Sequence, residues 1–362
     1  MRVAVLGVGL IGGSIGLAAR RRLGAEVTGF DPDRTTLDRA IEEGAIDTAA
    51  ASVAEACEGV EVVFCAAPVA GLGALTAAAL EACAADTVVT DVGSTKRDIV
   101  AALGADERFI GGHPLAGAET SGVENAREDL FEGARWYLTP KSERSSGLLY
   151  DRLQRTVAGL GARVQAIDPE AHDRLMATVS HLPHVVANVL VSQAAAELTR
   201  DSERMPEVGP SFRDTTRVAG ANPAIWGDIF ASNREAVAEA VDAVATRLRD
   251  AAELIREGER DAVSEWHAAA GADRRRLLES ELAGGPLREL RVVVANRPGT
   301  IAGLALALGE AGVNIEDMAL YPTPDMSAGA VSLWVSGDEQ AARAMALVRE
   351  LGHTASAVAD GE

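Results

Sequence analysis

Six histidines occur in 362 residues, and one of them, His113, stands in GHPLAGAETSG (residues 112–122) among glycines and other small residues. An imidazole titrates near neutral pH and so suits proton abstraction. Pro114 fixes the backbone just past it. The same histidine could instead be a buried polar group satisfied by a neighbour. Ser94, in DVGSTK, is a second candidate. Its hydroxyl could hold a ligand, cap a helix starting at Thr95, or do both. His181 and His184 flank Pro183 in SHLPH. Their i, i+3 spacing puts both on one face if the helix continues, although a proline there usually bends or breaks it. No third ligand of suitable spacing accompanies them, so no metal is expected. Arg213 and Arg217 are i, i+4, and they precede NPAIWGD, where Asn222 and Pro223 look like an N-cap and first-turn proline for a helix carrying Trp226. With Asp214 between them the arginines could line a solvated face. Beside a loop and a tryptophan they also make a carboxylate site.

A phosphate cradle opens the chain. MRVAVLGVGLIGGS runs from an apolar strand into Gly7, Gly9 and Gly12, with Leu10 and Ile11 starting a helix. In such a G-x-G-x-x-G turn the first glycine makes the bend, the second admits a pyrophosphate and the third packs helix on strand. A second strand, AEVTGFD, ends in Asp31, 19 residues past Gly12, where an acid grips ribose hydroxyls. Asp31 would repel a 2′-phosphate, which favours NAD, while nearby Arg34 keeps NADP open. The other reading of the turn is a tight βαβ corner without ligand.

These groups need a scaffold. VEVVFCAAPV leaves a strand into Ala67 and Pro68, and DTVVTDVGSTK and RFIGGHPLAG read as further strands with helical patterns between. That rhythm predicts an α/β fold with a doubly wound parallel sheet over residues 1–167. Ligands sit beyond the carboxyl ends of such strands, where Ser94 and His113 both fall. Strand signals then stop, and residues 168–284 read as a helical substrate or dimerisation domain, with Trp266 and His267 as packing residues. After the LAGGPL linker, residues 288–362 read βαββαβ, the ferredoxin-like order.

The formal charge of −20 argues against nucleic acid or an anionic membrane as partner. An anionic substrate would be repelled at long range and would need local cations within about 8 Å. Cys57, Cys65 and Cys83 have no CxxC spacing, consistent with reduced thiols and a cytoplasmic setting. Residues 3–19 are apolar but too short to span a bilayer, and Arg20, Arg21 and Arg22 follow rather than precede them, so neither an export signal nor a membrane helix is expected.

GVGLIGGS, DVGSTK, GGHPLAGAETSGVENA, SHLPHVVA and FRDTTRVAGANPAIWGDIF, in this order, together resemble the prephenate/arogenate dehydrogenases of tyrosine biosynthesis over residues 1 to about 280. The resemblance implies oxidative decarboxylation with hydride transfer to NAD. It makes His113 the base at the ring hydroxyl, with Ser94 holding that hydroxyl and touching the nicotinamide. Ser180 and His184 would contact the substrate side chain, Arg217 a carboxylate, and Trp226 would wall the pocket. Glu119 and Asp173 match acidic positions around the pocket mouth. NRPGT followed by GVNIEDM resembles the ACT domain, a regulatory module that pairs between copies. That implies Asn296, Pro298, Gly299 and Asn314 near an amino-acid effector such as tyrosine, and a homodimer. A β-hydroxyacid dehydrogenase would need a lysine base in the helical region, and residues 166–285 contain none. A non-catalytic, amino-acid-sensing NAD-binding regulator is the remaining alternative. The sequence does not separate prephenate from arogenate.

Overall fold

The computed structural model describes residues 1–117, 120–140, 147–198, 208–279, 287–295, 297–322 and 328–357. Residues Met1–Arg247 form one compact unit and Leu248–Glu362 a second.

The first unit is built on five parallel strands: β1 (Arg2–Leu6), β2 (Glu26–Phe30), β3 (Thr48–Ala49), β4 (Val62–Cys65) and β5 (Val88–Asp91). They lie in the order β3-β2-β1-β4-β5. Helices α1 (Leu10–Leu23), α2 (Arg34–Glu42), α3 (Val53–Ala56) and α4 (Val69–Ala82) make the crossovers, and α5 (Arg97–Leu103) follows β5. Both faces of the sheet are buried. Along β1, Val3 and Val5 enter one apolar cluster while Ala4 and Leu6 enter the other. This is the double coverage that a parallel sheet requires. The three cysteines are free and buried.

β6 (Gly111–Pro114) does not continue the parallel sheet as the βαβ rhythm suggests. It pairs antiparallel with β7 (Arg135–Thr139), which pairs parallel with β8 (Arg163–Ala166). A single bridge, Val89 to Phe109, starts a parallel ladder beside β5. Three residues after Phe109 the Gly112 amide donates to the Asp91 carboxylate (3.0 Å) instead of a strand carbonyl, and the ladder ends. His113 therefore sits on the strand itself, buried. Helix α6 (Leu148–Gly159) packs behind β8.

The helical region begins with α7 (Pro169–Met176) and α8 (Leu182–Leu198). Pro183 does not break the run. Residues Ala177–His181 form a π turn in which the Leu182 amide reaches back to the Ala177 carbonyl, and the wider turn accommodates the proline. α9 (Pro210–Thr216), a 3₁₀ turn at Arg217–Gly220, α10 (Pro223–Ser232) and α11 (Arg234–Glu257) follow. Asn222 caps α10 through the Ala224 amide (3.0 Å), with Pro223 at its first position, as its sequence indicates.

In the second unit, α12 (Arg260–Glu279) precedes β9 (Leu287–Ala295), α13 (Thr300–Glu310), β10 (Asp317–Pro322), β11 (Ala328–Ser336), α14 (Asp338–Glu350) and β12 (Thr354–Ala357). The strands form an antiparallel sheet in the order β10-β11-β9-β12. Alternating Leu290, Val292 and Val294 face its core. Trp266, expected to pack, is 47% exposed, and His267 is exposed too.

Candidate functional site

The glycine turn is shaped by close backbone approach. Gly7 has φ +94°, and a Cβ there would lie 2.4 Å from the Ala66 carbonyl oxygen. A Cβ on Gly12 would lie 1.9 Å from the Gly7 oxygen, whereas one on Gly9 would meet nothing within 4 Å. The turn thus excludes side chains where the fold is tight and leaves open space beside Gly9, at the N-terminus of α1 where Leu10 and Ile11 begin the helix. Asp31, ending the β2 region, accepts from the Val8 amide (3.0 Å) and the Asp33 amide (3.0 Å), which ties it to the turn. Ala67 abuts Gly7, and Pro68 immediately precedes α4. Arg34 is exposed and approaches Asp38 at 4.0 Å. An open cradle at a helix N-terminus with a tethered acid beside it fits a dinucleotide.

A cavity of about 920 Å³ is lined by Ser94, His113, Ser180, His184, Arg217 and Trp226 among others. These six come from the β5–α5 turn, β6, the π turn, α8, the 3₁₀ turn and α10. The π turn lets Ser180, His181 and His184 all reach the same cavity. His184 stacks on Trp226 with ring centroids 3.4 Å apart, and His181 meets the same indole edge-on at 5.9 Å. Burial pushes the His184 imidazole below its ordinary range, the Val218 backbone opposes this, and the Arg217 charge adds to it.

Behind the cavity lies a buried polar network. His113 Nδ1 is 2.8 Å from His172 Nε2, and His172 Nδ1 is 2.8 Å from Asp173 Oδ1. Asp173 also accepts from the Lys96 amide (2.7 Å) and the Arg97 amide (2.9 Å). Its own carbonyl accepts from Asn233 Nδ2 (2.8 Å), whose amide group also contacts His181 Nδ1 (3.2 Å). Lys96, one of two lysines in the chain, is fully buried and ion-paired to Asp91. Asp91 additionally accepts from the Gly93 amide (2.8 Å) and the Gly112 amide, joining the Ser94 turn to the His113 strand. Burial is the main force holding His113 well below the ordinary histidine range, reinforced by His172, Lys96 and His181. Burial also pulls the Lys96 ammonium down, against the pull of Asp91. For Asp173 burial acts upward, but hydrogen bonds from His172 and the two amides outweigh it and hold the carboxyl low.

Two expected site residues fall elsewhere. Arg213 is exposed on α9 and does not line the cavity. Asp173 is buried beneath the pocket rather than at its mouth, because it caps the first turn of α5. That helix starts at Arg97, so Ser94 is not its cap. Glu119 and Asn296 lie outside the described residues. Gly299 (φ +86°) precedes α13 and Asn314 follows it. Eleven helical residues, about 16 Å, separate them, so one chain does not bring Pro298 and Gly299 together with Asn314. No group of three or more metal-ligating side chains occurs among the described residues. Sequence reasoning missed Asp91, Lys96, His172 and Asn233. The scarcity of lysine was a usable signal for Lys96.

Residues 15–166 match the family described as "Prephenate dehydrogenase, nucleotide-binding domain", and residues 168–269 match "Prephenate dehydrogenase, dimerization domain". The chain is 30% identical to the prephenate dehydrogenase of Bacillus subtilis (strain 168), over 94% of each protein. Among solved structures it is similar to prephenate dehydrogenase from A. aeolicus in complex with hydroxyphenyl propionate and NAD+. That match has 32% identity and a TM-score of 0.71, and covers 76% of this chain and 98% of that one. Synechocystis arogenate dehydrogenase matches at 27% identity and a TM-score of 0.68, covering 76% of this chain and 100% of that one.

Proposed function

The chain belongs to the prephenate dehydrogenase family, and we propose that it converts prephenate to 4-hydroxyphenylpyruvate by NAD-dependent oxidative decarboxylation in tyrosine biosynthesis. The observation that carries the site assignment is a buried His113, held low in its titration, lining one cavity with Ser94 and Arg217. NAD held at the Gly7–Gly12 turn supplies the hydride acceptor. His113 takes the proton of the ring hydroxyl, which Ser94 helps to hold. Arg217 anchors a carboxylate, and His184, Ser180 and Trp226 wall the substrate side chain. Tight pairing of the departing ring carboxylate would stabilise the ground state and oppose its loss, so Arg217 positions the substrate while aromatisation drives decarboxylation. The likeness to arogenate dehydrogenase supports arogenate, which has an amino group in place of the keto group, as a second substrate reading.

Three functional regions accompany this reading: an NAD-binding part over residues 1–167, a helical part over 168–284 and an ACT-like tail over 288–362. The family models divide at the first of these boundaries. The βαββαβ order and the antiparallel sheet support a ferredoxin-like ACT module, for which the effector reading is an amino acid such as tyrosine. The homodimer reading is supported by the family's dimerisation region and by apolar Val189, Leu190 and Val191, which are exposed. The helical run Pro169–Glu197 is long and apolar enough to cross a membrane by composition, but it carries the buried His172, Asp173 and His181. We read its exposed side as dimer surface and the protein as cytoplasmic. Light scattering giving twice the 37.5 kDa chain mass supports the dimer, and a single-chain mass sinks it.

The test is NADH formation with prephenate and with arogenate, each with and without tyrosine. Turnover of prephenate is expected; a flat trace with both substrates removes the proposal. In His113→Asn, kcat should fall by about 10²- to 10⁴-fold with NAD affinity retained. Near-normal turnover in that variant takes His113 out of the chemistry.

A further inference from the structure

The hydrogen bonds behind His113 leave little freedom in where its proton sits. Asp173 accepts two backbone amides as well as His172, all within 2.9 Å, so its carboxylate is an acceptor on every side. Those bonds keep it ionised at neutral pH, although burial alone would favour the neutral acid. A ring nitrogen 2.8 Å from such a carboxylate must carry hydrogen. A bare lone pair there would place two acceptors in contact inside a site where both residues are almost fully buried. His172 Nδ1 is therefore the protonated nitrogen, and in neutral His172 its Nε2 is an acceptor. The atom facing that acceptor, at 2.8 Å, is His113 Nδ1, which must then donate.

We propose that His172 and Asp173 are positioning residues that lock His113 in the Nδ1–H tautomer, leaving its Nε2 as the base that takes the substrate hydroxyl proton. This rests on the dehydrogenase reading above. The proton passes from the ring hydroxyl to His113 Nε2 as the hydride departs, and no proton leaves His113 at that step. The imidazolium so formed keeps its Nδ1–H bond to His172, whose ring is in turn backed by the Asp173 charge. Tyr137, on the strand paired with β6, packs edge-on against His172 with centroids 5.6 Å apart and fixes the ring plane. The charged or titratable groups facing His113 are His172, Lys96 and His181. Lys96 discourages a second positive charge beside it, which makes the Asp173 charge behind His172 more important to the transient imidazolium.

Burial of Asp173 suits this positioning role. Its two oxygens tie α7 to the first turn of α5, so the carboxylate orienting the base is held by the turn that also carries Ser94. Base and hydroxyl holder therefore share one anchor.

Nitrogen-15 histidine NMR of the wild-type dehydrogenase at neutral pH, without substrate, tests the tautomer directly, with His113→Asn used only to assign the signal. A protonated Nδ1 and bare Nε2 on His113 are expected, and the opposite tautomer overturns the proposal. This readout does not depend on which substrate turns over. Absence of activity with prephenate in the same protein would sink the functional reading and leave the tautomer result standing. Kinetics supply the second arm. In His172→Leu, kcat should fall about 10²-fold, the low end of what a positioned base supplies, with KM for prephenate within about twofold. In His172→Gln the amide oxygen can still accept from His113, so kcat should recover to within about tenfold of wild type. Wild-type kcat in His172→Leu, or no recovery with Gln, counts against the relay.

Discussion

Arg217 lies near enough to His184 for its charge to help depress that imidazole, after burial. Its task in the proposed reaction is to hold a carboxylate that stays with the product or leaves late, and such binding is equal in ground and transition states. Arg217→Ala is therefore expected to raise KM for prephenate by about tenfold or more while kcat changes by less than about threefold. Initial-rate kinetics decide this, and a large kcat loss at unchanged KM would refute the division of labour. The histidines also set an acid limit on stability. Burial, with help from His172 and His184 and against the pull of Asp173, lowers His181 from 6.5 to about 4. His113 is lowered in the same direction. Below pH 6.5 the unfolded chain binds these protons first, so stability is complete above that pH and declines as pH falls toward 4. The urea midpoint should be lower at about pH 5.5 than at about pH 7.5, and His181→Gln should flatten the slope. A midpoint that rises on acidification contradicts the sign. His113, Ser94, Arg217 and Trp226 were legible because each sits in a local motif. The His172 contact was not, because it joins residues 59 apart across a strand and a helix.

Secondary structure shows where local rules hold and where tertiary contacts override them. The glycine turn was readable because its spacing alone dictates a bend at a helix N-terminus. Its steric detail separates folding from binding. A Cβ at Gly12 would enter the Gly7 carbonyl, whereas one at Gly9 meets no protein atom within 4 Å. Gly9→Ala should keep the melting temperature within about two degrees yet weaken NAD binding about tenfold or more, because the methyl group occupies the phosphate approach. Gly12→Ala should lose stability first, by about 2 kcal/mol or more, since the backbone must shift. Calorimetry with and without NAD distinguishes them, and equal effects on both variants would show that the open space at Gly9 is not the cofactor's. The start of α5 was misread, and the course of the helix at Pro183 was left open, for a common reason. In both, the expected local signal was a side chain or a proline, and the outcome was set by a partner elsewhere: Asp173 for the α5 amides, and a π turn that spreads the break over five residues. The antiparallel β6–β7 pairing was equally hidden, because nothing in GGHP announces that Asp91 will take the Gly112 amide.

At the scale of the whole molecule, the order of elements was the most legible feature. Apolar periodicity carries the parallel sheet, the helical middle and the βαββαβ tail. Its charge was equally plain and has a functional consequence. A protein of formal charge −20 repels both a dianionic substrate and an anionic cofactor. Arg217, which lines the cavity, and the amides of the glycine turn act only at close range. Raising KCl from about 20 mM to about 150 mM shortens the screening length from about 20 Å to about 8 Å. The distant repulsion is lost over that range, while contact pairing inside the cavity is weakened much less. KM for prephenate should therefore fall by about two- to threefold as salt is added, with kcat steady. A neutral osmolyte of equal osmolality should leave KM unchanged. If KM instead rises with salt, the field at the pocket mouth is positive despite the net charge, and local cations rather than the overall balance govern substrate capture.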